Sequence, residues 1–185
     1  MLIGLTGRNG AGKGEVAEFF TKKGFRFYSL SDVIREEIRQ HGQSVTRQAL
    51  VDTGNRLRAE YGHDVLARRV MEKLDGDSHC VIDSIRLPEE VEALRSMSDF
   101  IMLSVQAEPE IRFQRVIQRG RESDPQTLEE FLDLERLELA KPGTGRQQLA
   151  ETEKKADHRI PNNETLEELH RRLELFLGEH QAHQR

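Results

Sequence analysis

Residues 7–14 of the chain read Gly7-Arg8-Asn9-Gly10-Ala11-Gly12-Lys13-Gly14. This stretch satisfies the pattern G-x-x-x-x-G-K, in which glycines let the backbone fold tightly enough for successive N–H groups to face an anion. Lys13 adds a mobile ammonium group for the terminal phosphates of a nucleotide. The apolar run Leu2–Thr6 predicts a strand before the stretch, and the residues after it predict a helix. Strand, glycine-rich loop and helix together are the context that a phosphate-binding loop requires.

Strand-like and helix-like patterns alternate along the rest of the chain. The predicted strands after the first are residues 25–29, 79–83, 100–105 and 158–160. The predicted helical stretches are residues 15–20, 31 to about 74, 89–95, 109–118, 127–139 and 166–177. Such alternation predicts an α/β fold of three layers, α/β/α, in which helices cover both faces of a five-stranded parallel sheet. Ligands of such folds bind at the carboxyl ends of the strands.

Capping and turn residues mark three of the predicted helix starts. Ser29 and Asp32 have the spacing of a capping box, and so do Thr127 and Glu130. Pro88 opens the helix that follows it, in the first turn, where proline is tolerated. We therefore predict that helices begin after Ser29, at Pro88 and after Thr127.

Composition predicts a soluble protein with one main domain. The 185 residues fit a single compact domain, which we place at residues 1–178, followed by a flexible tail at residues 179–185. The formal net charge of -5 argues against nucleic-acid binding through a basic surface. The first residues contain no basic leader and no span long enough for a membrane helix, so we predict no membrane partner and no export. The single cysteine, Cys80, excludes an intrachain disulfide and fits a buried position in a cytoplasmic protein.

Position 14 distinguishes this loop from many phosphate-binding loops, which have a Mg²⁺-binding serine or threonine there. The form Gly-x-x-Gly-x-Gly-Lys-Gly resembles the loop of adenylate kinases, which are P-loop nucleoside monophosphate kinases. The resemblance implies that residues 7–15 contact the phosphates of ATP, and that Gly14 is compatible with Mg²⁺, which phosphate and water mainly hold in those enzymes. Glu15 replaces the threonine that follows there. It is either a water-mediated Mg²⁺ contact or an acid favoured at a helix N-terminus, and the sequence leaves both open.

Residues 28–35 resemble the adenylate-kinase segment in which Ser-Thr-Gly-Asp precedes two apolar residues and an arginine. They read Tyr28-Ser29-Leu30-Ser31-Asp32-Val33-Ile34-Arg35. The resemblance implies that Arg35 binds the monophosphate of the acceptor, which suits a bidentate guanidinium, and that Asp32 lies near the catalytic centre. The alternative is a salt bridge between these two residues on an exposed helix. The helical segment 31–75 is then expected to be the acceptor-binding insertion.

The end of the third predicted strand resembles the Asp-Gly-Phe-Pro-Arg element of the same kinases but is one residue shorter. It reads Val81-Ile82-Asp83-Ser84-Ile85-Arg86. The resemblance implies that Asp83 orients the waters around Mg²⁺, a role that suits a carboxylate at the carboxyl end of a strand beside the phosphate-binding loop. Arg86 is expected to be a second ligand of the acceptor's phosphate.

Four arginines lie within ten residues of one another. Arg112, Arg115 and Arg119 have the spacing i, i+3, i+7, which places them on one face of a helix, and Arg121 follows closely. In adenylate kinases the arginines that end this helix stack on the ATP base and neutralise the transferring phosphoryl group. The resemblance implies these roles for Arg115 and Arg119, and a lid contact for Arg121. For Arg112 we favour the alternative, a salt bridge on an exterior helix.

A small lid over ATP is expected at residues 119–146. Arg136 is a further candidate lid contact, and glycines later in this segment would permit a closure that keeps water from the phosphoryl group. Residues 156–163 resemble the last strand and loop of nucleotide and dephospho-coenzyme A kinases, where the adenine ring rests. Asn162 is the candidate contact to the base.

The sequence thus predicts a kinase that moves the γ-phosphoryl group of ATP-Mg²⁺ to a small monophosphate, namely a nucleoside or deoxynucleoside monophosphate. Lys13, Arg35, Asp83 and Arg119 are the candidate catalytic residues, acting by positioning and charge neutralisation. Dephospho-coenzyme A kinase is one alternative, in which Asp32 would be the base for a ribose hydroxyl. The other is a nucleotide-sensing regulatory ATPase module that acts through a protein partner. An arginine-rich lid favours transfer over sensing.

Overall fold

The computed structural model describes residues 1–74, 79–120, 124–140 and 147–182, and only the backbone of residues 137–140, 147 and 181–182. The strands in this part of the chain are β1 (Leu2–Thr6), β2 (Arg26–Ser29), β3 (Cys80–Asp83), β4 (Phe100–Gln106) and β5 (His158–Pro161). They pair in parallel in the order β2-β3-β1-β4-β5. The predicted α/β fold with a five-stranded parallel sheet is therefore confirmed.

Helices cover both faces of this sheet. They are α1 (Lys13–Lys22), α2 (Leu30–Gln40), α3 (Arg47–Tyr61), α4 (Val65–Met71), α5 (Pro88–Arg95), α6 (Pro109–Arg119), α7 (Leu128–Ala140), α8 (Gln147–Lys154) and α9 (Leu166–Ala182). Successive residues of a strand point to opposite faces. Ile3 and Leu5 accordingly join an apolar cluster with α1 and α9, whereas Leu2 joins a second cluster with α2 to α5. The two clusters are the interfaces between the three predicted layers.

The carboxyl ends of β1, β2 and β3 meet at one edge of the sheet. β1 ends at Thr6, whose Oγ1 donates a hydrogen bond of 2.9 Å to the carbonyl oxygen of Ile85, just beyond β3. Ser29, the last residue of β2, is paired with Asp83, the last residue of β3. The loop that follows β1 therefore begins beside the ends of the two neighbouring strands.

Two of the three predicted helix starts have the expected chemistry. Thr127 Oγ1 accepts from the N–H of Glu130 (3.1 Å), and the Glu130 carboxylate accepts from the N–H of Thr127 (3.3 Å). Pro88 is the first residue of α5. α2 begins directly after Ser29, but the prediction of a capping box there is wrong, because the Ser29 hydroxyl bonds to the hydroxyl of Ser31 (3.0 Å) instead.

The helix boundaries differ from the predictions at three places. The long helical stretch after residue 31 consists of three helices, α2, α3 and α4. α8 was not predicted, because its eight residues contain too few apolar side chains for a helical period to be recognised. α9 continues to Ala182, so the predicted tail is helical as far as that residue.

Two further observations concern the single cysteine and the apolar character of the helices. Cys80 is fully buried in β3, as predicted for a small apolar residue. Among the described residues, no helix has the length and apolar character needed to cross a membrane.

Candidate functional site

The phosphate-binding loop, residues 7–14, is called the P-loop from here on. Gly10 and Gly12 are examples of positions in it that require glycine. Gly10 has φ of 78° and Gly12 has φ of 98°. A Cβ at Gly10 would lie 2.5 Å from the carbonyl oxygen of Arg112, and one at Gly12 would lie 2.2 Å from Asn162 Nδ2. Both the left-handed conformation and the close packing exclude a larger residue. α1 begins at Lys13, so the N-terminus of a helix faces the loop, as an anion-binding site requires.

Lys13 is partly buried within the P-loop and bonds to the loop itself. Its Nζ donates to the carbonyl oxygens of Gly7 (2.7 Å) and Arg8 (3.2 Å). Burial lowers the pKa of Lys13 from 10.5 to about 8, although the Asp83 carboxylate raises it in part. Phosphate oxygens favour the charged ammonium, so a bound triphosphate would raise the pKa again.

Positions 14 and 15 lie at the open start of α1. Apart from its chain neighbours and its own helix, no described atom lies within 4 Å of a Cβ placed at Gly14, so packing does not require glycine there. Glu15 is exposed. Burial lowers the pKa of Arg115, and the charge of the Glu15 carboxylate opposes that effect in part. Both roles considered for Glu15 stay predictions.

Asp83 ends β3 with one unsatisfied carboxylate oxygen. Its Oδ1 is buried and has no hydrogen-bond partner among the described residues, whereas its Oδ2 accepts from Ser84 Oγ (3.2 Å). A buried carboxylate oxygen is costly unless a cation or a water molecule meets it. Mg²⁺ prefers oxygen ligands and keeps several of its waters, so this oxygen fits a hydrated Mg²⁺ beside the P-loop.

Three serine hydroxyls form a cluster next to Asp83. Ser31 Oγ donates to Ser84 Oγ (2.8 Å), which in turn donates to Asp83, and Ser29 Oγ lies 3.0 Å from Ser31 Oγ and 3.3 Å from Ser84 Oγ, to one of which it donates. Ser84 has φ of 68°, a conformation that costs a residue with a side chain roughly 1–2 kcal/mol. The one sequence signal for this cluster is that Ser84 stands where the resembling kinase element has glycine.

Arg35 lies on α2, the helix that follows β2, and is paired with Asp32. Its NH1 donates to Asp32 Oδ1 at 2.9 Å, and both side chains are at least one third exposed. The salt bridge considered as the alternative is therefore present. Exposed ion pairs contribute about 0–1 kcal/mol, so a phosphate can replace the Asp32 carboxylate as the partner of this guanidinium.

The main chain of Arg86 is held from two sides by residues that the sequence analysis missed. Its N–H donates to Glu90 Oε2 (2.8 Å), and its carbonyl oxygen lies 2.8 Å from Thr152 Oγ1. Glu90 is fully buried and also accepts from Arg58 NH2 (3.0 Å), whose own Nε has no partner among the described residues. Burial raises the pKa of Glu90, and the Arg58 charge lowers it in part. The backbone of Arg86 is thus fixed while its side chain is exposed to solvent.

All three arginines of α6 contact the P-loop, and the bonds of Arg115 and Arg119 are the ones expected of site residues. Arg115 NH1 donates to the carbonyl oxygen of Ala11 (3.5 Å), and Arg119 NH1 donates to Asn9 Oδ1 (3.0 Å). Arg119 also forms two hydrogen bonds with Asp124, from Nε (2.9 Å) and from NH2 (2.7 Å). Both guanidiniums therefore lie where they can reach a bound triphosphate.

Asn162 packs under the P-loop. Its Nδ2 donates to the carbonyl oxygen of Ala11 (2.9 Å), and its Oδ1 accepts from Arg115 NH2 (3.3 Å). The residue is buried, and its amide occupies the space that only a glycine at position 12 leaves free. Asn162 thus supports the loop, and contact with the base stays a prediction.

Arg112 joins the P-loop to α7 from the inside of the protein. It is 2% exposed and donates to the carbonyl oxygens of Ala107 (3.0 Å) and Asn9 (3.2 Å). Both oxygens of Glu135 accept from it, and its guanidinium lies 5.2 Å from the ring centre of Phe131. The predicted salt bridge exists, but the expectation of an exterior position is wrong, because helical spacing does not reveal which face another helix will cover.

Two acidic residues reach the same region from α7 and α8. Arg8 NH1 lies 3.7 Å from Glu135 Oε2, and Arg8 Nε lies 4.0 Å from Glu153 Oε2. Burial raises the pKa of Glu153, and the Arg8 charge lowers it in part. A cavity of about 470 Å³ opens here, with a lining that includes Arg8, Ala11, Arg112, Glu153, Pro161 and Asn163. Its volume lies within the range of small-molecule sites.

One candidate lid residue, Arg136, is not part of this cluster. Arg136 lies on the surface of α7 with its side chain 76% exposed, bonded to Asp133 (3.0 Å). Arg121 and the glycine-containing segment 141–146 lie outside the described residues.

Comparison with known proteins identifies the family. A family model described as an AAA domain matches residues 3–138. A UPF0200 protein of Pyrococcus horikoshii is 36% identical over 94% of this chain and 94% of its own length. A second one, from Pyrococcus abyssi, is 34% identical over 96% of this chain and 95% of its own length. The chain belongs to the UPF0200 family, and its residues 3–138 match the AAA domain. Family and fold therefore agree with the P-loop superfamily that the sequence indicated.

Solved structures similar to this UPF0200 chain include TT1252 from Thermus thermophilus, with 26% identity, a TM-score of 0.62 and coverage of 97% of both chains. Shikimate kinase from Bacteroides thetaiotaomicron has 18% identity and a TM-score of 0.63, with 96% of this chain and 98% of that chain covered. Shikimate kinase from Acinetobacter baumannii, solved with shikimate, has 18% identity and a TM-score of 0.56, with 96% and 93% covered. The UPF0200 chain thus has a P-loop kinase fold.

Proposed function

We propose that this protein transfers the γ-phosphoryl group of ATP-Mg²⁺ to a nucleoside or deoxynucleoside monophosphate. The observation that carries the proposal is the arrangement of cations around Lys13. Arg119 and Arg115, on the helix that follows β4, contact the P-loop, and the charge of Arg86, which follows β3 on the other side of β1, adds to the effect of burial in lowering the pKa of Lys13. A phosphoryl group in transit between two phosphates needs positive charge on both sides.

On the donor side, the N–H groups of the P-loop and the ammonium of Lys13 would hold the β- and γ-phosphates. Lys13 would exchange its present partners, the carbonyl oxygens of Gly7 and Arg8, for phosphate oxygens. Arg119 would neutralise the charge that develops on the transferring group, since its NH1 is already bonded to Asn9 in the loop. The chemistry needs no covalent intermediate, only alignment and charge neutralisation.

Mg²⁺ bound with ATP would neutralise part of the charge of the phosphates. Asp83 is the residue suited to orient the metal's waters, because its Oδ1 is buried without a partner. Ser84 holds the other oxygen of the same carboxylate and so fixes the direction in which Oδ1 points.

On the acceptor side, Arg35 and Arg86 would bind the monophosphate. Arg86 is well suited, since Glu90 and Thr152 fix its main chain while its side chain is exposed. Arg35 would leave Asp32, an exchange that the exposed ion pair opposes by about 1 kcal/mol at most.

The proposal is tested with purified protein, ATP and Mg²⁺, supplied with a panel of ribo- and deoxynucleoside monophosphates and with dephospho-coenzyme A. Product masses identify what is phosphorylated. We expect a diphosphate from at least one monophosphate, and loss of this activity in Lys13→Ala. Lys22→Ala is the control, because Lys22 lies at the exposed end of the same helix and pairs only with Glu18 in the described structure. Turnover of dephospho-coenzyme A alone would overturn the proposal, and ATP hydrolysis without any acceptor product would favour a nucleotide sensor.

A further inference from the structure

Arg119, the last residue of α6, has its guanidinium held by two residues, Asp124 and Asn9. Nε donates to Asp124 Oδ2 (2.9 Å) and NH2 donates to Asp124 Oδ1 (2.7 Å). NH1 donates to Asn9 Oδ1 in the P-loop (3.0 Å). Two parallel N–H···O bonds to one carboxylate fix both the position and the plane of a guanidinium. Contacts within the protein therefore fix both the position and the plane of the Arg119 guanidinium.

The carboxylate that orients Arg119 is itself nearly buried. The Asp124 side chain is 7% exposed, whereas that of Arg119 is 32% exposed. Gln126 Nε2 donates to the main-chain oxygen of Asp124 (2.9 Å) and secures the turn that carries it. Each of NH1 and NH2 carries a second N–H group in addition to the one used here. The carboxylate thus holds the guanidinium from the protein side, and the solvent side keeps donors for phosphate oxygens.

We infer that Asp124 is a positioning residue that holds Arg119 over the P-loop before ATP binds. The inference rests on the proposed phosphoryl transfer, in which Arg119 neutralises the transferring group. Ordering a long side chain costs conformational entropy, and charge stabilises a transition state best when it is oriented beforehand. Asp124 orders Arg119 during folding, so this arginine does not have to be carried into the site by a closing lid.

The kinetic test compares Asp124→Asn with a matched pair elsewhere in the chain. Asparagine keeps the shape of aspartate but loses the charge and one of the two acceptor oxygens. We expect kcat for phosphoryl transfer to fall about 10- to 100-fold, the order of effect that a displacement of about 1 Å produces. The KM for the acceptor stays unchanged, and Asp124→Glu recovers part of the loss. In the control, Glu168→Gln, kcat is unchanged, because Glu168 holds Arg171 by the same two bonds (2.8 and 2.7 Å) on the exposed surface of α9.

A double-mutant cycle shows whether Asp124 acts through Arg119. In an Arg119→Ala background, Asp124→Asn should cause no further loss of kcat, because the side chain that it positions is gone. If the double variant instead loses kcat by the product of the two single losses, Asp124 and Arg119 act independently and the inference is overturned. A rise in kcat in Asp124→Asn would also overturn it, since Asp124 would then be restraining the arginine rather than presenting it.

A measurement without turnover separates this inference from the proposed function. In nucleotide-free protein labelled with ¹⁵N-arginine, the Nε–H of Arg119 should exchange with solvent about tenfold faster in Asp124→Asn than in the wild type. Equal exchange rates would overturn the inference whatever the enzyme phosphorylates. If the wild type converts no monophosphate, the proposed function fails, and the exchange rates still decide whether Asp124 positions Arg119.

Discussion

ATP binding should weaken as the pH rises from about 7 to about 9, because Lys13 loses its proton over this range. With a pKa of about 8 in the nucleotide-free protein, Lys13 is protonated in about 90% of molecules at the lower pH and in about 10% at the higher one. Only the protonated form gives the phosphates a full positive charge. The apparent Kd for ATP should therefore rise about tenfold, which corresponds to about 1.4 kcal/mol of binding free energy.

Isothermal titration calorimetry measures both the affinity and the proton that accompanies it. Titrations in two buffers of different ionisation enthalpy should give an uptake of about 0.5 proton per ATP near pH 8 and about 0.1 near pH 7, if binding restores the full charge of Lys13. Deprotonation of ATP itself strengthens its attraction to a cationic loop, so it changes affinity in the opposite direction. A loss of affinity with rising pH is therefore specific to a group on the protein.

The variant Lys13→Ala shows whether the loss of ATP affinity at high pH comes from Lys13. It should bind ATP more weakly than the wild type at neutral pH, and its affinity should not fall between pH values of about 7 and 9. The reasoning is refuted if the wild type keeps one affinity over this range, or if Lys13→Ala loses affinity with the same slope. Lys22→Ala should behave like the wild type.

Three further predictions concern stability in the nucleotide-free state. Lys13→Met should raise the free energy of unfolding by about 1–3 kcal/mol at neutral pH. The pKa of Lys13 is lower in the folded than in the unfolded chain, so the charge of Lys13 destabilises the folded state. This destabilisation is complete below about pH 8 and decreases as the pH approaches 10.5. Thermal unfolding at pH values of about 7 and 10 checks this, and a larger gain at the higher pH contradicts it. Gly12→Ala should lower the free energy of unfolding by about 2 kcal/mol or more, since φ is 98° and the new Cβ would lie 2.2 Å from a neighbouring nitrogen. Gly14→Ala should leave it unchanged or raise it by up to about 1 kcal/mol. Denaturant unfolding of the two variants measures both effects, and equal losses of unfolding free energy would show that position 12 needs glycine no more than position 14 does. Glu90→Gln should lower the free energy of unfolding by about 3 kcal/mol, because it leaves the Arg58 charge poorly paired. Adding Arg58→Met should restore most of this loss. If denaturant unfolding shows no recovery in the double variant, the pairing is contradicted.

The features that could be predicted from the sequence are those set by local spacing. The P-loop follows from glycines and a lysine at fixed positions between a strand and a helix. Arg115 and Arg119 follow from helical spacing, which places them on one face, and that face contacts the loop. Asp83 follows from its place at the carboxyl end of a strand. In each case a few neighbouring residues contain the necessary information.

The features that were missed depend on residues far apart in the chain. Arg58 and Glu90 are 32 positions apart and meet only after α3 and α5 have packed. Arg112 was expected on the outside, because its spacing gives no sign that α7 covers it. Glu153 lies on α8, a helix too short and too polar to show an apolar period. Pairwise packing of this kind cannot be read from periodicity or from capping residues.

α8 also links the two substrates of the proposed reaction. Thr152 and Glu153 are consecutive residues of this helix, yet the first lies against the main chain of Arg86 and the second approaches Arg8 in the P-loop. A shift of α8 on ATP binding would therefore change the affinity for the acceptor. Thermodynamic linkage then requires the acceptor to change the affinity for ATP by the same factor. Under the proposed reaction, the coupling between ATP binding and acceptor binding would thus depend on one eight-residue helix.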